Sequence, residues 1–400
     1  MNIVTKSERI RLQLLFGLFG MGLMALVPRI PDLKHNLNVA NGTFGAILSL
    51  GAVGSVISLL FMGRLVQRIG VRTTLYMTAT GLYSLLMVAP HLHVAWIYAI
   101  INIFMALSAS AHNIALHTQT LQRQDESGEM LLPRMHGSWS IGVLVTVTSA
   151  LLLTSIVAFA VHIDLMVGVI WLATMLLIRM SSKDFIEKTT DAVPMERINF
   201  ARIRQTFTFD KSIVVAFALG TLIEFTSNDW STLVTNQEIH ASKSASVWAY
   251  LATIIGMIVG RMYFVKIIGY RSERFWIRLA ALGGGGGYIV ASQSASLLAG
   301  HKSPLALPVE ALAFLFAGLG TSFMSPLFTT IANRRSSLKP SEVVSQLNLA
   351  NTVIVFVSKI LVAWVVQLTS ITIALIIPGL FLMAVAKFAY LGNPRALKSL

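Results

Sequence analysis

The sequence predicts an all-α, polytopic membrane protein: twelve transmembrane helices in two six-helix pseudo-repeats. Three observations carry that expectation. Hydrophobic residues make up 55% of the chain and charged residues only 12%, with a mean hydropathy of +0.72, which leaves too little polar surface for a soluble protein of 400 residues. Twelve stretches approach the roughly 20 apolar residues that a bilayer crossing needs. An arginine-rich stretch, GRLVQRIGVR at 63–72, has a looser copy, GRMYFVKIIGYR, at 260–271. Each follows the second span of its half, as duplication of a six-span unit would leave it.

The spans fall at about 11–28, 42–62, 73–90, 94–118, 135–158, 161–179, 212–235, 245–264, 275–298, 305–331, 342–367 and 370–391. The first has the basic lead and apolar core of a signal peptide, but VPRIPDL stands where a small-residue cleavage site would be, so it reads as a span. The last four merge on hydropathy alone and are separated by GHKSPLALP, NRRSSLKPSE and LTS. With the N-terminus inside, 26 of the 31 Lys and Arg residues lie on the cytoplasmic side. Arg29, Lys34, Lys243 and Lys302 lie opposite, and Lys359 is the only Lys or Arg deep inside a span. One missed or extra span would invert the assignment downstream, so the positive-inside rule tests the span count independently. The longest polar interval divides the chain into an N-terminal bundle at 1–180, a cytoplasmic loop at 181–210 and a C-terminal bundle at 211–400.

Composition also excludes. Without cysteine there are no disulfides, thiolate metal sites or cysteine nucleophile. The net charge of +14 is dispersed between apolar segments, which fits topology control and not nucleic-acid binding. GGGGG at 283–287 lacks the Lys-Ser/Thr of a phosphate loop and sits inside a span, so it reads as close packing or a flexible helix. His112 and His117 are five apart, not the i, i+4 of a helical zinc pair. No nucleophile–base constellation stands out, so neither an enzyme nor a cofactor or metal is expected.

Buried polar residues mark the candidate pathway. In span seven, Thr221, Glu224, Asn228 and Ser231 share one helix face. A carboxylate there costs about 2.5–3.5 kcal/mol on insertion scales, and it reads either as a proton or substrate site or as helix–helix glue. Asp229, about 140° around the helix, reads as a rim or gate residue paired with Arg29 or Lys243. Span eleven carries Ser341, Ser345, Asn348, Thr352 and Lys359 on one face, with Asn351 beside it. Lys359 is positioned to neutralise Glu224 or to attract an anionic substrate group. In span four, Asn102, Asn113 and His117 lie near one face. His112 and His117 are expected to be solvated or capping, and His136 and Trp139 to serve packing or substrate stacking. The pathway set is therefore Glu224, Asn228, Thr221, Asn113, Asn102, Asn348, Lys359 and Trp139.

The arrangement resembles the major facilitator superfamily: six plus six spans, a long inside loop, and Gly63, Arg68, Gly70 and Arg72 in the Gly-x-x-x-x-Arg-x-Gly-x-Arg signature between spans two and three. RIPDLKHNLNVANGTFG at 29–45, MHGSWSIG at 135–142 and EFTSNDWS at 224–231 are similar to the YbjJ-like branch. Ala109 stands where that branch often has Asp. The resemblance implies a secondary active transporter that moves a small solute across the inner membrane by alternating access. It also implies cytoplasmic termini and a monomer in the lipid bilayer. A single buried carboxylate suits protons better than a sodium cage. An exporter of drug-like or metabolite solutes, and a transport-inactive sensor or scaffold, remain the alternatives. Arg64, Arg68 and Arg72 hold the turn in the cytoplasm, and the gating set adds Arg29, Asp229, Gln67 and Glu342. Gln67 replaces the Asp that the family sets against the N-terminus of span eleven, forfeiting about 0.3–1 kcal/mol of charge–dipole energy. Glu342, at the start of that span, is positioned to pair with an arginine instead. Gln67→Asp is expected to shift the resting population outward, read as solvent accessibility of single cysteines on each side; unchanged accessibility contradicts the gate reading.

Overall fold

Backbone amides have no water partner in hydrocarbon, so apolar segments of this length must satisfy them internally as helices. The computed structural model describes residues 5–127, 131–181, 183–187, 210–336 and 340–395. No strand occurs among them. By internal contact the chain divides into two units. Unit 1 comprises Met1–Val39 and Ile47–Ile198, and unit 2 comprises Ala40–Ala46 and Asn199–Leu400.

The helices of unit 1 are α1 (Lys6–Leu23), α2 (Ile30–Leu37), α3 (Asn41–Ile69, whose start up to Ala46 falls in unit 2), α4 (Val71–Val88), α5 (Ala95–Ser127), α6 (Leu132–Leu153) and α7 (Phe159–Met180). The short α2 joins the first two spans and ends at Asn38, whose φ of 49° closes the helix in a left-handed turn. Small residues set the tightest crossings. A Cβ on Gly142 of α6 would lie 2.0 Å from the Gly17 carbonyl of α1. Nearby, the Thr146 hydroxyl donates to the Met21 carbonyl at 2.9 Å. A Cβ on Gly54 of α3 would lie 1.9 Å from the Ile103 carbonyl of α5. Contact between backbones at this range is how helices associate where lipid supplies no hydrophobic drive.

Unit 2 contains α8 (Lys211–Gln237), α9 (Val247–Ile267), α10 (Glu273–Leu279), α11 (Gly285–Gly300), α12 (Ala306–Thr321), α13 (Met324–Arg335), α14 (Pro340–Leu368), α15 (Ile371–Ala374) and α16 (Ile376–Ala384). Spans nine, ten and twelve are interrupted: α10 and α11 flank a π-helical stretch, α12 is followed by α13, and α15 and α16 run into a 3-10 stretch at Val385–Leu391. The second-to-fourth-span crossing of unit 1 recurs here: a Cβ on Gly256 of α9 would lie 2.6 Å from the Leu315 carbonyl of α12. The pseudo-repeat is thus visible in the packing as well as in span order.

Nine of the helical segments among the described residues are long and apolar enough to cross a membrane. The remaining spans have local reasons for falling short. Threonines and tyrosines dilute α4, polar side chains line α8, and α10–α11 is broken by a π-helical stretch at Ala280–Gly284. Leu165, Val169, Leu172 and Leu176 are all exposed on α7. They recur at i, i+4, i+7 and i+11, an apolar stripe suited to lipid.

The glycine run fits close packing. A Cβ on Gly284 would meet the Gly320 Cα at 2.4 Å, and one on Gly285 the Gly379 carbonyl at 2.6 Å. The arginine stretch corrects a predicted span edge. Helix α3 continues to Ile69, so Arg64 and Arg68 sit on its last turns, and the connection to α4 is Gly70 alone. Its φ of 82° and ψ of 157° belong to a region that is nearly glycine-only. The second copy turns differently, through a 3-10 turn at Ile268–Tyr270 and a Ser272 cap on α10. Most of the interval 181–210 lies outside the described residues. At its start, Asp184 pairs with Arg11, and the Val71 amide donates to the Ile186 carbonyl at 3.2 Å.

Gly70→Ala is expected to cost about 1–3 kcal/mol of stability from backbone strain. Gly63→Ala, where an added Cβ meets nothing within 4 Å, is expected to be neutral or slightly stabilising. Thermal unfolding in detergent compares the two, and equal effects contradict the assignment of strain to Gly70.

Candidate functional site: a polar seam on the seventh span

Helix α8 carries the polar stripe, and unit 2 commits part of it to structure. The Thr221 hydroxyl donates to Asn351 Oδ1 of α14 at 3.0 Å. Lys359 Nζ of α14 lies 2.6 Å from Asp229 Oδ2. Both contacts advance by eight residues on each helix, so α8 and α14 run parallel with two rungs about 12 Å apart along the axis. The Asp229 and Lys359 side chains are 14% and 15% exposed. On another side of α8, the Thr321 hydroxyl at the end of α12 donates to the Gly220 carbonyl at 2.7 Å.

The partnership differs from the sequence expectation. Lys359 neutralises Asp229 and not Glu224, and Asp229 is paired with neither Arg29 nor Lys243. The 140° between the two carboxylates is the physical reason: turning Asp229 to α14 turns Glu224 toward α9. There, Arg261 and Tyr250 are the groups within electrostatic reach of Glu224. Arg29 is 1% exposed. Its Nε lies 2.9 Å from Asp32 Oδ2, and both terminal nitrogens donate to the Val157 carbonyl at 3.4 Å. It ties the end of α6 to the entry of α2.

Glu224 and Asn228, one turn apart, are different. Both are half-buried, and neither makes a hydrogen bond or ion pair with a described residue. Asn348 is exposed on α14, and its carbonyl accepts from the Thr352 hydroxyl at 2.8 Å. A hydrogen-bonding face remains open on α8, beside neighbours that are already paired.

In unit 1 the candidate residues separate. Asn102 Nδ2 donates to the Ile47 carbonyl at 2.9 Å and to that of Leu48 at 3.2 Å, which fastens α5 to α3. Asn113 is exposed. Trp139 is half-buried, its ring close over Gly20 of α1. His112 is fully buried rather than solvated. It is turned to α4, with Nδ1 3.0 Å from Thr78 Oγ1, and Phe19 packs on its ring at 5.0 Å. Of the gating set, Arg64, Gln67 and Arg68 are exposed at the end of α3. The Arg72 guanidinium lies 5.6 Å from the Tyr76 ring centroid. The Glu342 side chain lies outside the described residues.

Sequence reasoning passed over four acidic residues. Glu310 on α12 is completely buried, with the Ser292 hydroxyl as the polar group beside it. Its position four residues into α12, straight after loop punctuation, disguised it as a span edge. Glu273 is 3% exposed and accepts from Arg334 and from the Asn393 amide, each at 2.7 Å. Glu8 pairs with Arg123 at 2.6 Å, and Arg123 with Glu126 at 2.7 Å. Hydrogen bonds from Arg123, then Gln122, hold the Glu126 carboxyl below its ordinary range.

Two repeats of six spans and a buried polar face define a polytopic transport fold, and comparison agrees. The sequence profile of the Major Facilitator Superfamily matches residues 12–361, and the chain belongs to that family. An uncharacterized MFS-type transporter from Yersinia pestis is 21% identical over 388 residues, covering 96% of this chain and 95% of its own. Among solved structures, the nucleoside transporter NupG shares the fold with a TM-score of 0.72 at 11% identity, covering 96% of this chain and 98% of that one. A D-xylose-proton symporter also scores 0.72, at 13% identity and 98% coverage of both chains. A bacterial homolog of the human lysosomal transporter Spinster scores 0.67 at 10% identity, covering 96% of this chain and 95% of that one. The protein is a multi-pass membrane protein of a transporter family.

Removing one partner of a desolvated pair strands the other charge. Asp229→Asn and Lys359→Met are each expected to cost about 3–5 kcal/mol, with the double variant recovering most of it. A double-mutant cycle on thermal unfolding in detergent reads this, and additive losses contradict the pairing.

Proposed function

We propose that the chain is a secondary active transporter that carries a small solute across the cytoplasmic membrane by alternating access, coupled to protons. The observation that supports this reading is the uncommitted pair Glu224 and Asn228 on α8, held between the Thr221–Asn351 and Asp229–Lys359 rungs. A carboxylate inside a span is costly unless it has work that repays the insertion. Glu224 serves as the proton carrier and a substrate hydrogen-bond partner. Asn228 and Asn348 supply neutral polar contacts. The Asp229–Lys359 pair keeps its own charge out of the cycle. The halves 1–180 and 211–400 move as bodies joined by 181–210, exposing the α8 face to each side in turn. Arg64, Arg68 and Arg72, with Gln67 among them, act at the cytoplasmic gate, and both termini lie in the cytoplasm.

Proteoliposomes loaded with a pH-sensitive dye test the coupling. A panel of sugars, nucleosides and amphipathic drugs is added outside, and solute-dependent proton movement is followed. The wild type is expected to show it for at least one class. Glu224→Gln is expected to abolish proton movement and to leave solute exchange that ignores a pH gradient. Solute flux that keeps its pH dependence in Glu224→Gln removes Glu224 from the mechanism.

A further inference from the structure

His117 and His136 lie 19 residues apart, on α5 and α6 of unit 1, and the fold turns their rings together. The two Nε2 atoms are 3.5 Å apart, with ring centroids 5.3 Å apart and planes inclined by 58°. Phe16 of α1 packs edge-on against both rings, at 5.4 Å and 6.4 Å. His117 Nδ1 lies 2.9 Å from the Asn113 carbonyl. A carbonyl only accepts, so Nδ1 carries the proton and the Nε2 lone pair of neutral His117 points at His136. That is the arrangement of a metal-ligating histidine, whose other ring nitrogen donates to a backbone carbonyl and fixes the tautomer.

The separation discriminates between two explanations. A hydrogen bond to nitrogen is expected at about 2.7–3.2 Å, and 3.5 Å is long for one. Two imidazoles bound to one tetrahedral ion at about 2.0–2.1 Å hold their nitrogens roughly 3.3–3.4 Å apart. The pair needs only a few tenths of an ångström to reach that distance. His136 is exposed and His117 is half-buried, so an ion has a route in.

We infer that His117 and His136 form a two-histidine site for a late first-row divalent cation, of the class Zn²⁺, Ni²⁺ or Cu²⁺, for which imidazole is a suitable ligand. No group of three or more His, Cys, Asp or Glu residues gathers for a metal among the described residues. Two protein ligands therefore leave the other positions to water, an open site rather than a structural zinc centre. A bound ion would bridge α5 to α6 and stabilise the folded protein, the more so as its concentration rises above the dissociation constant. This role is separate from solute transport on α8.

The test uses the purified, tag-free full chain in detergent, titrated with Zn²⁺ and with Ni²⁺. Calorimetry is expected to show one saturable equivalent, and the unfolding temperature is expected to rise with metal. His117→Gln and His136→Gln should each weaken binding at least about tenfold, while His93→Gln, at an exposed histidine elsewhere in unit 1, should not. Equal binding in all three variants, or no saturable binding to the wild type, overturns the proposal. Should either site variant fail to fold, electron paramagnetic resonance of the Cu²⁺-loaded wild type decides. Coupling to two imidazole nitrogens supports the site, and coupling to one or none rejects it.

Discussion

The ion pair between Asp229 and Lys359, 2.6 Å apart and mostly withdrawn from solvent, is the constraint on which the arrangement of the second unit rests. Neither charge is affordable alone in hydrocarbon. Together they fix the facing of α8 and α14, and Thr221 with Asn351 repeats the contact eight residues earlier on both helices. Once that seam is set, helix geometry does the rest. Glu224 cannot face α14 while Asp229 does, because 140° separates them. The same rotation that neutralises one carboxylate therefore leaves the other, with Asn228, uncommitted.

A second constraint acts through the backbone. Lipid tails are as apolar as leucine, so helices in the bilayer associate by close approach and by hydrogen bonds. Both units use glycine where their second and fourth spans cross, at Gly54 and at Gly256. Outside the α8–α14 seam and Glu224, ion pairs gather at helix ends, where Arg123 joins Glu8 to Glu126 and Glu273 gathers Arg334 and the Asn393 amide. Glu310 is a further carboxylate inside a span, completely buried in α12 beside the Ser292 hydroxyl.

Much of this was legible in the sequence. Span count and the two-fold repeat followed from hydropathy, basic-residue placement and the recurrence of an arginine signature, because each depends on local composition. The common face of Thr221, Glu224 and Asn228 followed from helical periodicity. Partnerships did not follow, since they depend on which helix lies across from which. Lys359, which periodicity offers to Glu224 or to an anionic substrate group, meets Asp229, and Arg29 is held by Asp32 and the end of α6. Asn102 looked like a pathway residue and bonds to α3 carbonyls. His117 shares a helix with His112, whereas the histidine that its ring meets is His136 on the next. In the sequence Gly70 is one residue of a charged stretch, and its backbone angles make it the whole of the turn.

The central claim is that Glu224 and Asn228 form an open, water-reachable face while the flanking rungs are closed. The chain has no native cysteine, so single cysteines report without background. Asn228→Cys, compared with Thr221→Cys on the closed rung, is the most direct measurement, using an impermeant thiol reagent applied from each side of oriented vesicles. The account predicts labelling at position 228 from both sides, with rates altered by Glu224→Gln, and little labelling at position 221. Protection at 228 from both sides would contradict it and leave the α8 stripe as interhelical glue.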